Sequence, residues 1–256
     1  MAKTIVITGA NRGIGLALAR HWKARGDRVL AVCRQASTAL IDSGVEVIDG
    51  VDVSTADGVS NLTSALGDTP VDILYNNAGI MLSETVAQMD FEQLLDQFKV
   101  NTLGPLRVTV ALLGNLREGS KVGLMTSRMG SIGNTTVGEE YIYRSSKAAA
   151  LNLGRNLAAD LKGLGIAVGI YHPGWVRTDM GGGSADLSAE EAARGLVQRI
   201  DTLSLSHQGQ PWVDIHWLFQ LTLVALRELG GHGAVVALKS ALAVALAAVT
   251  LWRGPT

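Results

Sequence analysis

Thr4-Ile5-Val6-Ile7-Thr8-Gly9-Ala10-Asn11-Arg12-Gly13-Ile14-Gly15, followed by Leu16 to Arg25, is the stretch whose reading decides the fold. Four residues, three of them β-branched aliphatics, read as a buried strand. The run stops at a glycine-rich turn, and a helical pattern begins directly after it. A strand feeding a helix through such a turn aims backbone N–H groups outwards, and the glycines let an anion come close. The spacing is Gly-x-x-x-Gly-x-Gly, which departs from the commoner dinucleotide fingerprint. Its placement between a strand and a helix gives it weight that a lone glycine turn lacks.

Working outwards, strand-like runs alternate with helical ones, as a parallel sheet with right-handed crossovers requires. Strands are expected at Val29-Leu30-Ala31-Val32, Val45-Glu46-Val47-Ile48, Val71-Asp72-Ile73-Leu74-Tyr75, Val122-Gly123-Leu124-Met125 and Ile166-Ala167-Val168-Gly169-Ile170. Helical pattern covers roughly 91–115, 140–162 and 188–203, and residues 173–187 read as a mobile loop rich in Pro, Gly and Ser. The expected architecture is a Rossmann-type, doubly wound α/β fold with helices on both faces of a mostly parallel sheet. In such sheets ligands sit beyond the carboxyl ends of the strands. Thr8, Asn76, Ser127 and Pro173 all fall at those ends.

One pair of residues carries chemistry. Tyr143-Arg144-Ser145-Ser146-Lys147 sets a phenol and an ammonium at i and i+4, on one helix face. A free tyrosine, with a pKa near ~10, holds its proton too tightly for easy transfer at neutral pH. A neighbouring lysine cation stabilises the phenolate and is expected to draw that pKa down. Ser127, sixteen residues upstream, could donate to an oxygen gaining charge; a strand-end cap is its ordinary alternative. His172 reads as a loop or packing residue rather than a base.

In these motifs the chain resembles the short-chain dehydrogenase/reductase family. The matching segments run from Thr8 to Gly15, then Asp52, Asn76-Asn77-Ala78-Gly79, Asn101, Ser127, Tyr143 to Lys147 and Pro173-Gly174-Trp175-Val176-Arg177-Thr178, in the family's order. Ser127 to Ile132 and His172 to Met180 look most like its C-factor-like and sniffer-like carbonyl reductases. The resemblance implies that Tyr143 is the general acid/base, that Lys147 tunes it and bonds the nicotinamide ribose, and that Asn101 helps relay protons through water. It further implies a cofactor site of Gly9, Asn11, Arg12, Gly13, Ile14, Gly15, Asp52, Val53, Asn77, Ala78, Gly79, Tyr143, Lys147, Pro173, Gly174, Val176 and Thr178, to which Arg34 is added on grounds of charge. Asp52 resembles the carboxylate that accepts from the adenine amino group, and Thr178 the residue that holds the carboxamide.

Local electrostatics indicate which dinucleotide. A fold that selects NAD usually places a carboxylate about 20 residues beyond the glycines. Here that position is Cys33, followed by Arg34, while Arg12 lies inside the glycine loop. Two guanidiniums flanking a 2′-phosphate favour NADP(H). The expected function is reversible hydride transfer between nicotinamide and a carbonyl or alcohol substrate. The rival readings are a nucleotide-bound signalling protein of C-factor type and a partner- or membrane-binding protein that works through its tail.

Composition narrows the setting. A chain of 256 residues with 47% apolar content can bury one large core, and a formal charge of −1 without a basic run argues against a nucleic-acid surface. The single cysteine excludes an internal disulfide and suits a reducing compartment. Met1-Ala2-Lys3 leads straight into the first strand with no signal-peptide core, so a cytoplasmic location is expected. The five histidines are scattered without ligand spacing, so no metal is expected. By resemblance, the helices near 91–115 and 140–162 pair with those of a second subunit in a homodimer or homotetramer.

The tail departs from the family. Residues 1–212 read as the dinucleotide-binding domain, its last strand reduced to little more than Leu203-Ser204-Leu205, and 213–256 as an apolar extension with helices over 217–229 and 234–252. Lys239-Ser240 interrupts the second helix, whose purely apolar part falls short of the ~20 residues of a bilayer span. The expectation is that the tail packs on protein, with peripheral membrane contact as the lesser alternative.

Overall fold

A computed structural model describes residues 2–204. Six strands form one parallel sheet: β1 (Thr4–Thr8), β2 (Arg28–Val32), β3 (Glu46–Ile48), β4 (Val71–Asn76), β5 (Leu116–Met125) and β6 (Ala167–Tyr171). Their order across the sheet is β3-β2-β1-β4-β5-β6. The helices are α1 (Gly13–Ala24), α2 (Thr38–Ile41), α3 (Ala56–Leu66), α4 (Phe91–Phe98), α5 (Gly104–Ala111), α6 (Tyr141–Lys162) and α7 (Ala189–Thr202). The doubly wound fold expected from the sequence is the fold found. The chain winds outwards from β1 to β3, then returns to place β4 on the other side of β1. That reversal opens the crevice in which such sheets bind ligands.

Strand periodicity divides the core into two layers. Ile5 and Ile7 of β1 face one way and pack with Leu18 and Trp22 of α1, Tyr75, and Leu196 and Ile200 of α7. Val6 faces the other way, with Leu62 of α3, Leu74, Val108 of α5, and Leu157 and Leu161 of α6. Side chains alternating across β1 therefore feed both layers, which leaves no polar face on a central strand. The capping box foreseen at no point in the sequence reading closes α7: Ser188 Oγ accepts from Glu191 N–H, and Glu191 Oε2 accepts from Ser188 N–H at 2.8 Å.

Several element limits differ from expectation. The helical run over 91–115 is two helices joined by one turn of π-helix, Lys99–Leu103, and it ends at Ala111. The apolar Leu112-Leu113 extended the periodic pattern past the true end. β5 starts earlier than expected because it contains a bulge. Val71 pairs with Leu116 but Ile73 with Lys121, and the extra residues turn through Gly119 at φ 87°. Ile166 is buried but precedes β6 rather than belonging to it. The short helix α2 carried no signal in the pattern. Of the expected last strand, Leu203 and Ser204 are not in a strand, and its remaining residue lies outside the described residues. The tail helices expected over 217–229 and 234–252 also lie outside them. Among the described residues no helix is long and apolar enough to cross a membrane.

Candidate active site

The glycine loop is built by exclusion of side chains. Gly9 has φ 65°, and a Cβ there would sit 2.8 Å from the Ala78 backbone; at Gly15 one would sit 2.3 Å from the Gly9 carbonyl. Thr8 and Asn77 fasten this loop to the end of β4. The Thr8 hydroxyl donates to the Tyr75 carbonyl (3.3 Å) and accepts from the N–H groups of Asn77 and Ala78 (both 3.1 Å). Asn77 Nδ2 donates to the carbonyls of Thr8 (3.0 Å) and Gly9 (3.2 Å). Asn11 ties the loop to α2, its Oδ1 accepting from Ser37 N–H at 2.5 Å.

Helix α1 then begins without a side-chain cap and without an acidic residue in its first turn. An uncapped, electropositive helix start beside glycines is what a pyrophosphate needs. The residues at this end of the sheet therefore fit a dinucleotide. Cys33 at the end of β2 is a buried neutral thiol, pushed up by burial, while Arg34 beside it faces solvent. Burial would raise the Asp52 carboxyl, but hydrogen bonds from Ser54, with Arg34 and Arg107 nearby, bring it below the ordinary range. Val53 is buried against Gly104 of α5.

Arg12 behaves differently from expectation. Its guanidinium pairs with Asp179 at 2.6 Å, both side chains 74% exposed. Asp179 belongs to the segment between β6 and α7, which also carries Pro173, Gly174, Val176 and Thr178. The Thr178 methyl lies against Gly13. This segment is irregular, as expected, but it closes on itself. Arg177 N–H donates to the Leu187 carbonyl and Leu187 N–H to that of Trp175, and Arg177 Nη1 reaches the Ala185 and Asp186 carbonyls.

The chemical cluster lies beyond β4 and β5. Tyr143 and Lys147 are both buried on the inward face of α6, with the Lys147 ammonium 5.7 Å from the centre of the Tyr143 ring. Lys147 Nζ donates to the Met125 carbonyl at 3.1 Å. Burial lowers the Lys147 pKa to about 8. The Tyr143 phenol moves up, not down. Burial raises it, a hydrogen bond with Ser127 opposes that, and the Glu140 charge adds to the rise. The only opposing influence is the Ser127 hydrogen bond, so the lowering by Lys147 expected from the i, i+4 spacing is not what sets the Tyr143 pKa. Ser127 keeps its ordinary role as well, its Oγ accepting from Met129 N–H at 3.1 Å.

Asn101 is fully buried on the π-turn. Its Oδ1 accepts from Ile80 N–H (2.8 Å), and its Nδ2 donates to the Ile80 carbonyl (2.8 Å) and to Ser146 Oγ (3.1 Å). A Cβ on Gly79 would lie 3.3 Å from Asn101 Oδ1 and 3.4 Å from Lys147 Nζ, so the three positions converge. A π-turn at such a place is a frequent mark of a functional site. Sequence reading missed two residues here. Gln97, one turn before Asn101, binds both backbone groups of Leu82, and Glu84 bonds the start of α6.

A phosphate cradle at the switch point, with a tyrosine, a lysine and a serine gathered beside it, defines a nucleotide-dependent oxidoreductase of the doubly wound class. Residues 3–188 match the family model described as short chain dehydrogenase, and the chain belongs to that family. It is 38% identical over 213 residues to the 1-hydroxy-2-glutathionyl-2-methyl-3-butene dehydrogenase of Rhodococcus sp. (strain AD45), covering 81% of this chain and 94% of that one. Among solved structures, a putative short-chain dehydrogenase/reductase from Burkholderia multivorans with bound NADP superposes with a TM-score of 0.73 at 30% identity, over 82% of this chain and 94% of the other. The carbonyl reductase Sniffer of D. melanogaster does so with a TM-score of 0.72 at 31% identity, over 82% and 95%.

Proposed function

We propose that the chain reduces a small-molecule carbonyl with NADPH, reversibly, and that Tyr143 is the acid/base. The observation that carries this reading is the convergence of Tyr143, Lys147, Ser127 and Gly79 at the strand ends, next to the glycine cradle. The NADP-bound neighbour and the carbonyl reductase neighbour support the choice of cofactor and reaction. The bound nicotinamide supplies or takes up the hydride. The glycine loop, Asp52, Val53, Asn77, Ala78 and the segment from Pro173 to Thr178 would hold the dinucleotide, with Arg34, and Arg12 once released from Asp179, available to a 2′-phosphate. Cys33 puts no carboxylate against that group.

The protein's own part is to orient and to move a proton. Ser127 donates a hydrogen bond to the carbonyl oxygen, which lowers the energy of the charge developing there. The Tyr143 hydroxyl delivers the proton: burial keeps the phenol protonated but makes it a weaker acid, so transfer depends on the negative charge that develops on the substrate oxygen. The Lys147 cation, below its pKa of about 8, stabilises the phenolate left behind. Asn101 holds the adjoining backbone, and proton relay through water beside it remains part of this reading. The lone buried thiol accords with a cytoplasmic site of action.

The test is NADPH oxidation against a panel of aldehydes, ketones and quinones. Tyr143→Phe should lower turnover by roughly 100- to 10,000-fold while NADPH still binds. Near-normal turnover in that variant sinks the assignment.

A further inference from the structure

The chain between β4 and α4 has no regular structure, yet alternate residues along it are held by side chains from other elements. Asn101 binds both backbone groups of Ile80, and Gln97 binds both of Leu82, accepting from its N–H at 3.1 Å and donating to its carbonyl at 3.3 Å. Two buried amides thus take the place of a neighbouring strand. The next alternate residue, Glu84, reverses the arrangement: its own side chain reaches out. Glu84 Oε1 accepts from the Ile142 N–H at 2.6 Å. The Glu84 residue is only 6% exposed, and Oε2 is buried with no hydrogen-bond partner.

Helix α6 has no cap of its own. The residue at its N-cap, Glu140, has φ 57° and makes no capping bond. Its Oε1 instead accepts from Ser83 Oγ at 3.3 Å. An anionic acceptor at a helix start satisfies an otherwise orphaned N–H and meets the positive end of the helix dipole. Farther along α6, Ser146, Lys147, Ala150, Gly154, Leu157 and Leu161 are buried, so packing holds the body of the helix. Its first turn is packed on one side only: Tyr141 is exposed and Ile142 half-buried, while Tyr143, the residue after the capped Ile142, is buried.

We infer that Glu84 is a positioning residue: it caps α6 from the loop between β4 and α4, 58 positions away in sequence, and thereby fixes the Tyr143 hydroxyl relative to that loop. This rests on the reading of Tyr143 as the acid/base. Loss of the cap frays the first turn without unfolding the helix. Misplacement of a reacting group by about 1 Å can cost on the order of 100-fold in rate.

The experiment compares full-length wild type, Glu84→Ala and Glu84→Gln, each shown to be folded by near-ultraviolet circular dichroism. Glutamine keeps an acceptor oxygen for Ile142, and alanine does not. Amide hydrogen exchange is followed at Ile142 and Tyr143, and NADPH-dependent reduction of nitrobenzaldehyde and phenanthrenequinone gives kcat and KM. The alanine variant should exchange at these two amides roughly 10- to 100-fold faster, as expected for loss of a charged hydrogen bond. Its kcat should drop about 10-fold or more with KM within about 3-fold, while glutamine restores both readouts to within about 3-fold. Unchanged exchange in Glu84→Ala, unchanged kcat despite faster exchange, or a glutamine variant as impaired as alanine overturns the inference. A wild type that reduces neither probe counts against the proposed reaction, while exchange at Ile142 still decides the cap.

Discussion

Lys147 is a charge kept where water cannot reach it, and that has a measurable consequence for stability. Its pKa falls from 10.5 to about 8 on burial, so between these values the unfolded chain binds more protons than the folded one. Stability therefore rises as pH climbs from about 8 to about 10.5, and the penalty is fully present below 8. At ~1.36 kcal/mol per pKa unit, the penalty at neutral pH is about 3 kcal/mol. Lys147→Met should thus unfold at a higher temperature than wild type at pH 7, with the gap narrowing at alkaline pH, while carbonyl reduction collapses. Thermal melts across that pH range check it, and a methionine variant less stable at neutral pH would show that the ammonium is better compensated than its surroundings suggest. In wild type the reduction rate should itself decline as pH rises through about 8, because the cation that supports the phenolate is lost. Burial shifts Tyr143 upwards, so a decline through about 8 belongs to Lys147 and not to the phenol.

At the scale of elements, the glycine loop and the segment after β6 face each other across the cofactor crevice, joined by Arg12 and Asp179. An exposed pair of this kind contributes little, so a 2′-phosphate can displace Asp179 from Arg12 at small cost. Arg34, which faces solvent, should carry more of the selectivity. Arg34→Ala should shrink the preference for NADPH over NADH by about 1.5–3 kcal/mol, as for a hydrogen bond to a charged group. Asp179→Ala should change NADPH affinity by no more than about five-fold and leave NADH alone. Titration of both nucleotides into the three proteins decides it; equal affinities in wild type refute the arginine argument. The strand, loop and helix that open this crevice were legible because each is a local pattern of a few residues. The same holds for Tyr143 and Lys147, set by one helical turn. What stayed hidden depends on partners distant in sequence: Gln97 on Leu82, Glu84 on Ile142, and the π-turn that aims Asn101. The rise in the Tyr143 pKa was hidden for the same reason, since burial is a property of the fold and not of the i, i+4 spacing.

At the scale of the whole molecule, one exposed stretch and the tail sequence bear on assembly. Phe91 and Leu95 of α4, Leu103 of the π-turn and Val110 of α5 expose large apolar side chains on one stretch of chain. Singly such residues need no explanation, but four within twenty residues are consistent with a protein contact. We propose that this stretch and α6 meet their counterparts in a second subunit, and a monomer in sedimentation at micromolar concentration would count decisively against that. The tail, 213–256, lies outside the described residues, and only its sequence bears on its role. Its sequence is apolar but carries Lys239 within the longer stretch, and a central lysine costs roughly 2.5–3.5 kcal/mol in a bilayer even on a lenient scale. We therefore propose that 213–256 is a separate extension that packs on protein and contributes no catalytic side chain. Truncation after Trp212 separates the alternatives. If the tail covers an apolar surface, the shortened chain should melt at lower temperature or aggregate, while what remains soluble keeps its affinity for NADPH. If the tail is instead a peripheral anchor, the shortened chain should be fully stable and lose binding to liposomes. That second result overturns the packing proposal, because a segment that buries protein surface cannot be removed without exposing what it covered.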